Sequence, residues 1–271
     1  MKIKKKTLTP GPDLKALNST VEVQDNTVKV SYGTGKVEGN IAKEKICFTE
    51  SSDLCMKQFG FLSVKHAQDI EGDQFSGVVG LSPGFYKSMD GSLLPSFVEQ
   101  MIKFKDENGN PLIDPVFSFY LAQDPSIQSK IILGGYDLEK YANKNLGEED
   151  IIWHKLNENN DYFWSLHMND KAKFYGGTNL KKKIYSFVNL VSKSIVIDTG
   201  LSYALAPLKD IISIANMLNN DYGIFCNVTE SAIQDNLNFF DCDLKDQMIS
   251  DLPTLQIGIL TDKIKVDHQY P

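Results

Sequence analysis

Apolar residues recur at alternate positions through much of the chain, which is the pattern of short β-strands. One such run reads Val21, Val23, Val28, Val30 and Tyr32, with a turn at residues 24–26. It enters Tyr32-Gly33-Thr34-Gly35 and resumes at Val37, so the glycines on either side of Thr34 predict the tip of a hairpin. Further strands are predicted at residues 46–48, 58–64, 77–80, 116–122, 130–133, 151–156, 164–168, 184–190 and 255–259.

Two segments instead space their apolar residues as an amphipathic helix does. The first covers residues 94–102, with Ser92 as its expected N-cap, and the second covers residues 208–218, with Pro207 at its first turn. The charged stretch at residues 139–150 is predicted to be a loop between two β-rich halves. We therefore expect two lobes, residues 1–138 and 139–271, each built from strands with few short helices.

Composition and charge narrow the function classes. The 271 residues are 42% hydrophobic and 23% charged, which is ordinary for a globular protein, and the net charge of −7 argues against nucleic acid as a partner. No uncharged apolar stretch approaches the roughly 20 residues of a membrane span. The basic run at residues 2–6 does not lead into the apolar region of a signal peptide, and it is interpreted as a solvated end.

The four cysteines form two close pairs. Cys47 and Cys55 are eight positions apart and Cys226 and Cys242 are sixteen apart, which suits two disulfide-closed loops better than a zinc site. Asn18 and Asn227 each begin a glycosylation sequon. Bridges and sequons together favour a secreted or vacuolar origin. The four histidines form no visible ligand set, so no metal is expected.

The triplet Asp198-Thr199-Gly200 carries the clearest chemistry. It follows the apolar run at residues 194–197, as if a buried strand delivered a carboxylate at its end, and it occurs once in the chain. Paired aspartates that share one proton can hydrolyse peptides, the ionised member activating a water and the protonated member polarising the carbonyl. A single aspartate does not reproduce the behaviour of the pair.

Several motifs occur in the order typical of one protease family. They are residues 30–35, 77–81, 118–121, 131–137, 153–164 and 195–200, and then Cys226 to Cys242 followed by Leu252-Pro253. In this series the sequence resembles the pepsin-like aspartic proteases, from about Asn18 to the C-terminus. The resemblance implies an all-β, bilobal acid-protease fold that is incomplete at both ends, with the substrate-covering hairpin, or flap, in the first lobe and Asp198 in the second.

The resemblance also implies residue roles. Asp198 corresponds to a catalytic aspartate and Tyr32 to the flap tyrosine; Gly33 and Thr34 would offer backbone hydrogen bonds to substrate, and Gly200 and Ser202 would line the cleft. It implies endopeptidase activity on polypeptides by a monomer without cofactor or metal. It also implies a secreted, lysosomal or vacuolar location for the full-length member.

Departures from the family pattern affect the expected activity. The first Asp-Thr-Gly is missing upstream of Tyr32, and so is the second bracing segment near the C-terminus. Leu201 replaces a threonine and Ser76 replaces a common aspartate. We therefore expect no efficient hydrolysis by this chain alone. One alternative is a catalytically inactive, peptide-binding pseudoprotease. A remote one is a serine hydrolase that uses Ser82, because residues 80–84 match the nucleophile-elbow pattern.

Overall fold

The protein is described by a computed structural model that covers residues 22–31, 35–47, 55–68, 77–84, 86–87, 93–105, 109–111, 113–142, 145–158, 162–201, 204–230, 238–244, 251–260 and 263–264. By its internal contacts the chain divides into two compact units, Met1–Ile151 and Ile152–Pro271. Both units consist mainly of antiparallel strands with short helices, as the alternating sequence pattern predicts.

The first unit is dominated by a three-stranded antiparallel sheet. Its strands are β1 (Glu22–Ser31), β2 (Lys36–Cys47) and β3 (Cys55–Gln68), in the order β1-β2-β3. The turn predicted at residues 24–26 does not interrupt β1 and coincides instead with a shift of register between Val23 and Thr27. Ser31 pairs with Lys36, so the predicted hairpin forms with its connection at residues 32–35.

Helix α1 (Phe97–Lys103) packs on β3 and begins at Ser96, whose hydroxyl accepts a hydrogen bond from the Glu99 amide at 3.2 Å. The prediction of Ser92 as the N-cap is therefore wrong: a serine directly before the first helical residue can reach the free amides, and one four residues earlier cannot. Met56, Phe59 and Met101 form the buried core between α1 and the sheet.

The remaining elements of the first unit are short. They are β4 (Tyr86–Lys87), β5 (Leu93–Leu94), β6 (Phe117–Tyr120), β7 (Lys130–Leu133), helix α2 (Leu138–Tyr141) and a 3-10 turn (Glu148–Asp150). β4 pairs with β5 and β6 pairs with β7.

The strand predicted at residues 77–80 is wrong: this segment is exposed and irregular, and two of its four residues are glycines, which weaken a strand.

The second unit is built around one long strand, β9 (Ser165–Tyr175). Strands β10 (Tyr185–Asn189), β11 (Ser194–Val196) and β14 (Thr254–Ile259) all pair with it in antiparallel fashion. Two further pairs complete the unit: β8 (Trp153–His154) with β15 (Lys263–Ile264), and β12 (Phe225–Glu230) with β13 (Asn238–Asp243).

Helix α3 (Leu208–Met217) covers one face of this sheet and continues into a wider turn at Leu218–Tyr222. Buried residues from the sheet and the helical segment meet in one core: Met168, Ala172, Phe174, Val188, Leu190, Leu218, Tyr222 and Ile224. A disulfide joins Cys226 to Cys242, which face each other across β12 and β13. Over the ranges that the structure covers, helices remain too short or too polar to traverse a lipid bilayer.

Candidate functional site

Strand β11 determines where Asp198 lies. Ile195 pairs with Leu166 of β9 and packs against the core, and the Ile197 amide donates to the Trp164 carbonyl at 3.0 Å. The chain leaves the sheet at the next residue. The expectation of a buried strand is wrong, because Ser194 and Val196 on either side of Ile195 are exposed. Asp198 does stand at a strand end, as the sequence indicates.

The carboxylate of Asp198 is exposed and is oriented by its own turn. Its Oδ1 accepts a hydrogen bond from the Gly200 amide at 2.8 Å. A Cβ atom added to Gly200 would lie 3.2 Å from the same oxygen, so a larger residue there would press on the carboxylate. Glycine at position 200 therefore allows the backbone to come close to the Asp198 carboxylate. The arrangement holds one oxygen of the carboxylate and leaves the group open to solvent.

Exposed apolar residues flank this carboxylate in the sequence. Val196 and Ile197 precede it, Leu201 and Leu205 follow it, and all four are exposed. A polar group set in apolar surface is typical of sites that orient a ligand through one or two hydrogen bonds and hold it through apolar contact. Ser202, the other residue expected here, lies outside the described residues.

A buried aspartate fixes the loop that leads into β11. Asp210, in the first turn of α3, accepts hydrogen bonds from the Val191 amide at 2.5 Å, the Ser192 amide at 3.1 Å and the Ser192 hydroxyl at 2.5 Å. The Lys193 carbonyl, next in the loop, accepts from the Met168 amide at 3.0 Å. These bonds hold the loop at residues 191–193 against α3 and β9, and with it the start of the strand that ends at Asp198.

The environment of Asp210 favours its ionised form. Burial of the side chain opposes ionisation, but the hydrogen bonds from Ser192 and from the Val191 amide, together with the Lys193 charge, outweigh it and lower the pKa of Asp210. Asp210 is not among the functional residues predicted from the sequence. The sequence offers little indication of this role, because an acidic residue in the first turn of a helix is ordinarily explained by the helix dipole.

The flap residues of the sequence prediction are described only through their flanking strands. Tyr32, Gly33 and Thr34 lie outside the described residues, whereas Ser31 and Lys36 on either side pair with each other. Asn18 and Ser76 also lie outside.

The other residues singled out in the sequence lie elsewhere in the structure. Cys55 is disulfide-bonded. In the strand register of β2 and β3, Cys47 lies opposite Cys55. Asn227 is exposed on β12. Ser82 lies in an irregular segment, residues 77–84. A nucleophile elbow needs a strand before the serine and a helix after it. Neither is present among these described residues, so the elbow is not formed there. Within the same described ranges, no group of three or more His, Cys, Asp or Glu could hold a metal ion.

Comparison with known proteins covers nearly the whole chain. A family model described as "Eukaryotic aspartyl protease" matches residues 15–270. Cathepsin E-A of Xenopus laevis is 24% identical over 219 residues, which are 78% of this chain and 49% of that protein. Human cathepsin D is 23% identical over 228 residues, covering 77% of this chain and 49% of the relative. Plasmepsin IV of Plasmodium falciparum is 27% identical over 194 residues, or 70% of this chain and 36% of the relative.

A solved structure supports the fold. The aspartic proteinase from Irpex lacteus aligns with a TM-score of 0.50 and 17% identity, over 90% of this chain and 64% of that one. The strand-rich architecture is therefore the all-β fold of that protein. The chain spans about half the length of the cathepsin relatives it matches.

Proposed function

Because the chain belongs to the eukaryotic aspartyl protease family, we propose that Asp198 is one of the two catalytic carboxylates of an aspartic-type endopeptidase. The observation that carries the proposal is the geometry of this carboxylate: it stands exposed at the end of β11, with Oδ1 held by the Gly200 amide at 2.8 Å. A carboxylate fixed through one oxygen keeps the other available for a water or a second acid. We infer that the second oxygen, for which the described residues show no hydrogen bond, would hold or transfer a proton.

Peptide hydrolysis requires a second carboxylate beside the first, so that the two share one proton. Asp198 belongs to the single Asp-Thr-Gly of the sequence. We accordingly propose that these 271 residues by themselves do not turn over peptide, and that the endopeptidase reaction needs a partner carboxylate in the position of the first family motif.

The proposed substrate is an extended polypeptide. The exposed apolar residues around Asp198 support this, since they offer contact area for substrate side chains. The pairing of Ser31 with Lys36 supports the flap assignment of Tyr32, Gly33 and Thr34, because it joins the two strands that flank those residues in the sequence. We further propose lobes at residues 1–138 and 139–271, substrate contacts from Gly200 and Ser202, and a monomer that needs neither metal nor cofactor.

The test is an acid-pH assay of the purified chain on an unfolded protein substrate, with and without pepstatin. We expect no pepstatin-sensitive cleavage by the wild type. Asp198→Asn serves as the background control, because any contaminating protease acts equally on both samples. Pepstatin-sensitive cleavage that is lost in Asp198→Asn would support the role of Asp198 and refute the proposed inactivity of the isolated chain.

A second candidate is a protein that binds peptide without cleaving it. The observation that favours it is Leu201, an exposed apolar residue beside the Asp198 turn where the family usually has a hydrogen-bonding threonine. Calorimetric titration with pepstatin distinguishes the two candidates. Binding that Asp198→Asn weakens, without turnover in the assay above, would favour the pseudoprotease, and absence of binding would count against it.

The proposed location is the secretory pathway, in a secreted, lysosomal or vacuolar compartment. The disulfide between Cys226 and Cys242 supports it, because such bonds persist in oxidising compartments. The exposure of Asn227 makes it the better supported of the two proposed glycosylation sites. Peptide mapping of secreted material should find a glycan on Asn227, and unmodified Asn227 there would contradict that assignment.

A further inference from the structure

The hairpin formed by β9 and β10 differs from the rest of the chain in charge. Residues 171–189 contain five lysines and no carboxylate, although the whole chain carries a net charge of −7. The lysines are Lys171, Lys173, Lys181, Lys182 and Lys183; Lys173 is half-buried and the other four are exposed. This concentration of one sign on an acidic protein creates a local positive potential.

Aromatic rings share the outer face of this hairpin with the lysines. The inner face places Phe174, Ser186 and Val188 in the core, so their strand neighbours point outward. Of these neighbours, Tyr185 and Phe187 lie with ring centroids 5.1 Å apart. The Lys173 ammonium lies 4.9 Å from the Tyr185 ring centroid and 5.7 Å from that of Tyr175. All three rings remain exposed.

The turn between the two strands is firmly attached to the unit at its first half. The Thr178 amide donates to the Asp251 carbonyl at 3.0 Å, and the Leu180 amide donates to the Asp221 carbonyl at 2.7 Å. The Lys181 ammonium pairs with the buried Asp221 carboxylate at 2.7 Å. Asp221 also accepts from the Ser186 hydroxyl at 2.5 Å, so the same side chain secures both ends of the turn.

The second half of the turn is highly exposed. Lys182 and Lys183 are followed by Ile184, whose side chain is 86% exposed, and Leu180 is 61% exposed. A large aliphatic side chain this open to water makes little contact with the described part of its own unit. Because the turn is held by Asp221, ordering it on a partner would cost little conformational entropy.

We propose that this face, defined as Lys171, Lys173, Tyr175, Tyr185, Phe187 and residues 180–184, docks on an anionic lipid bilayer. Lysines attract the protein to acidic headgroups, and exposed aromatic and aliphatic side chains enter the boundary between headgroups and acyl chains. Lysines alone would suit any polyanion. Ile184 and Leu180 distinguish the bilayer, because a polysaccharide or nucleic acid offers no apolar phase for branched aliphatic side chains.

The test is flotation of the full chain with vesicles of phosphatidylcholine alone and with vesicles that also contain phosphatidylserine. The wild type should float only with the acidic vesicles, and binding should fall as salt is added, since screening weakens attraction between exposed charges. Lys182→Gln with Lys183→Gln should raise the apparent Kd about tenfold or more, from the loss of two lysines near the surface. Ile184→Ser should also raise the Kd while leaving the salt dependence unchanged.

Matched controls come from the other side of the same sheet, where α3 packs. Lys209→Gln and Ile212→Ser remove an exposed lysine and an exposed isoleucine from that helix, and neither should change binding. The salt titration of the wild type tests the proposal even if a hairpin variant fails to fold. Failure of the wild type to float with acidic vesicles would overturn the proposal, as would equal floating with neutral ones. Binding to heparin or single-stranded nucleic acid in its place would also overturn it.

Discussion

The hydroxyl of Ser192 donates a hydrogen bond to the buried carboxylate of Asp210 at 2.5 Å, joining the loop before β11 to the first turn of α3. Two backbone amides of the same loop donate to the same carboxylate. Three polar groups at two loop positions thus depend on one side chain from a different element. Since β11 carries Asp198 at its end, the position of the candidate catalytic group depends on this contact.

Asp210→Asn should lower the free energy of unfolding of the second unit by about 2 kcal/mol at neutral pH, because the amide replaces an ionised acceptor of three hydrogen bonds. The folded protein lowers the pKa of Asp210, so its contribution is full above the unfolded pKa and is lost as pH falls through the folded pKa. The difference between wild type and variant should therefore shrink in acid. Urea unfolding followed by the fluorescence of Trp153 and Trp164, both in the second unit, measures it. A pH-independent difference would contradict the ionised state of Asp210.

Gln100→Met should destabilise the first unit by about 2–3 kcal/mol. The buried Gln100 amide accepts from the Gly60 nitrogen at 2.7 Å and donates to the Gly60 carbonyl at 2.9 Å, so the change leaves two backbone groups of β3 without partners. Circular dichroism during urea unfolding measures the effect. Gln128→Met, at an exposed position, is the control and should be neutral. Equal effects of the two variants would show that the Gly60 contact contributes nothing.

Tyr222→Phe should raise the free energy of unfolding by about 1 kcal/mol. The ring is buried in the core of the second unit, and its hydroxyl has no hydrogen-bond partner among the described residues. Removing the hydroxyl keeps the packing and removes the cost of burying an unpaired polar group. Thermal melting compares this variant with Tyr162→Phe at an exposed position. Destabilisation by Tyr222→Phe would indicate that the hydroxyl makes a hydrogen bond in solution.

Replacing Cys226 and Cys242 together by alanine should lower the free energy of unfolding by about 3 kcal/mol, the chain-entropy value for a loop of this size. The two residues are 16 apart in sequence. Calorimetry of the double variant gives the value. A reductant should lower the melting temperature of the wild type more than that of the double variant, and equal sensitivity would show that this bond contributes little.

Much of the local architecture is readable from the alternation of apolar and polar residues. The β1–β2 hairpin, strand β7 and helix α3 lie close to their predicted bounds, because period two and period 3.6 directly reflect backbone geometry. Family membership also follows from sequence, since the motif order covers most of the chain and the family match spans residues 15–270. Two predictions are wrong: Ser92 as an N-cap and a strand at residues 77–80. Both rested on a few single residues and not on a long periodic pattern.

Strand periodicity and turn residues act over a few neighbours, so the all-β class and the single Asp-Thr-Gly turn at a strand end follow from the sequence alone. The hydrogen bonds of Asp210, Asp221 and Gln100 depend instead on tertiary packing, since their partners are 18, 35 and 40 residues away: Ser192, Ser186 and Gly60. The structure likewise decided that β11 is half exposed and that lysines and aromatic rings share one face. Periodicity shows which side of an element a residue occupies, whereas the partner it meets there depends on how distant segments pack.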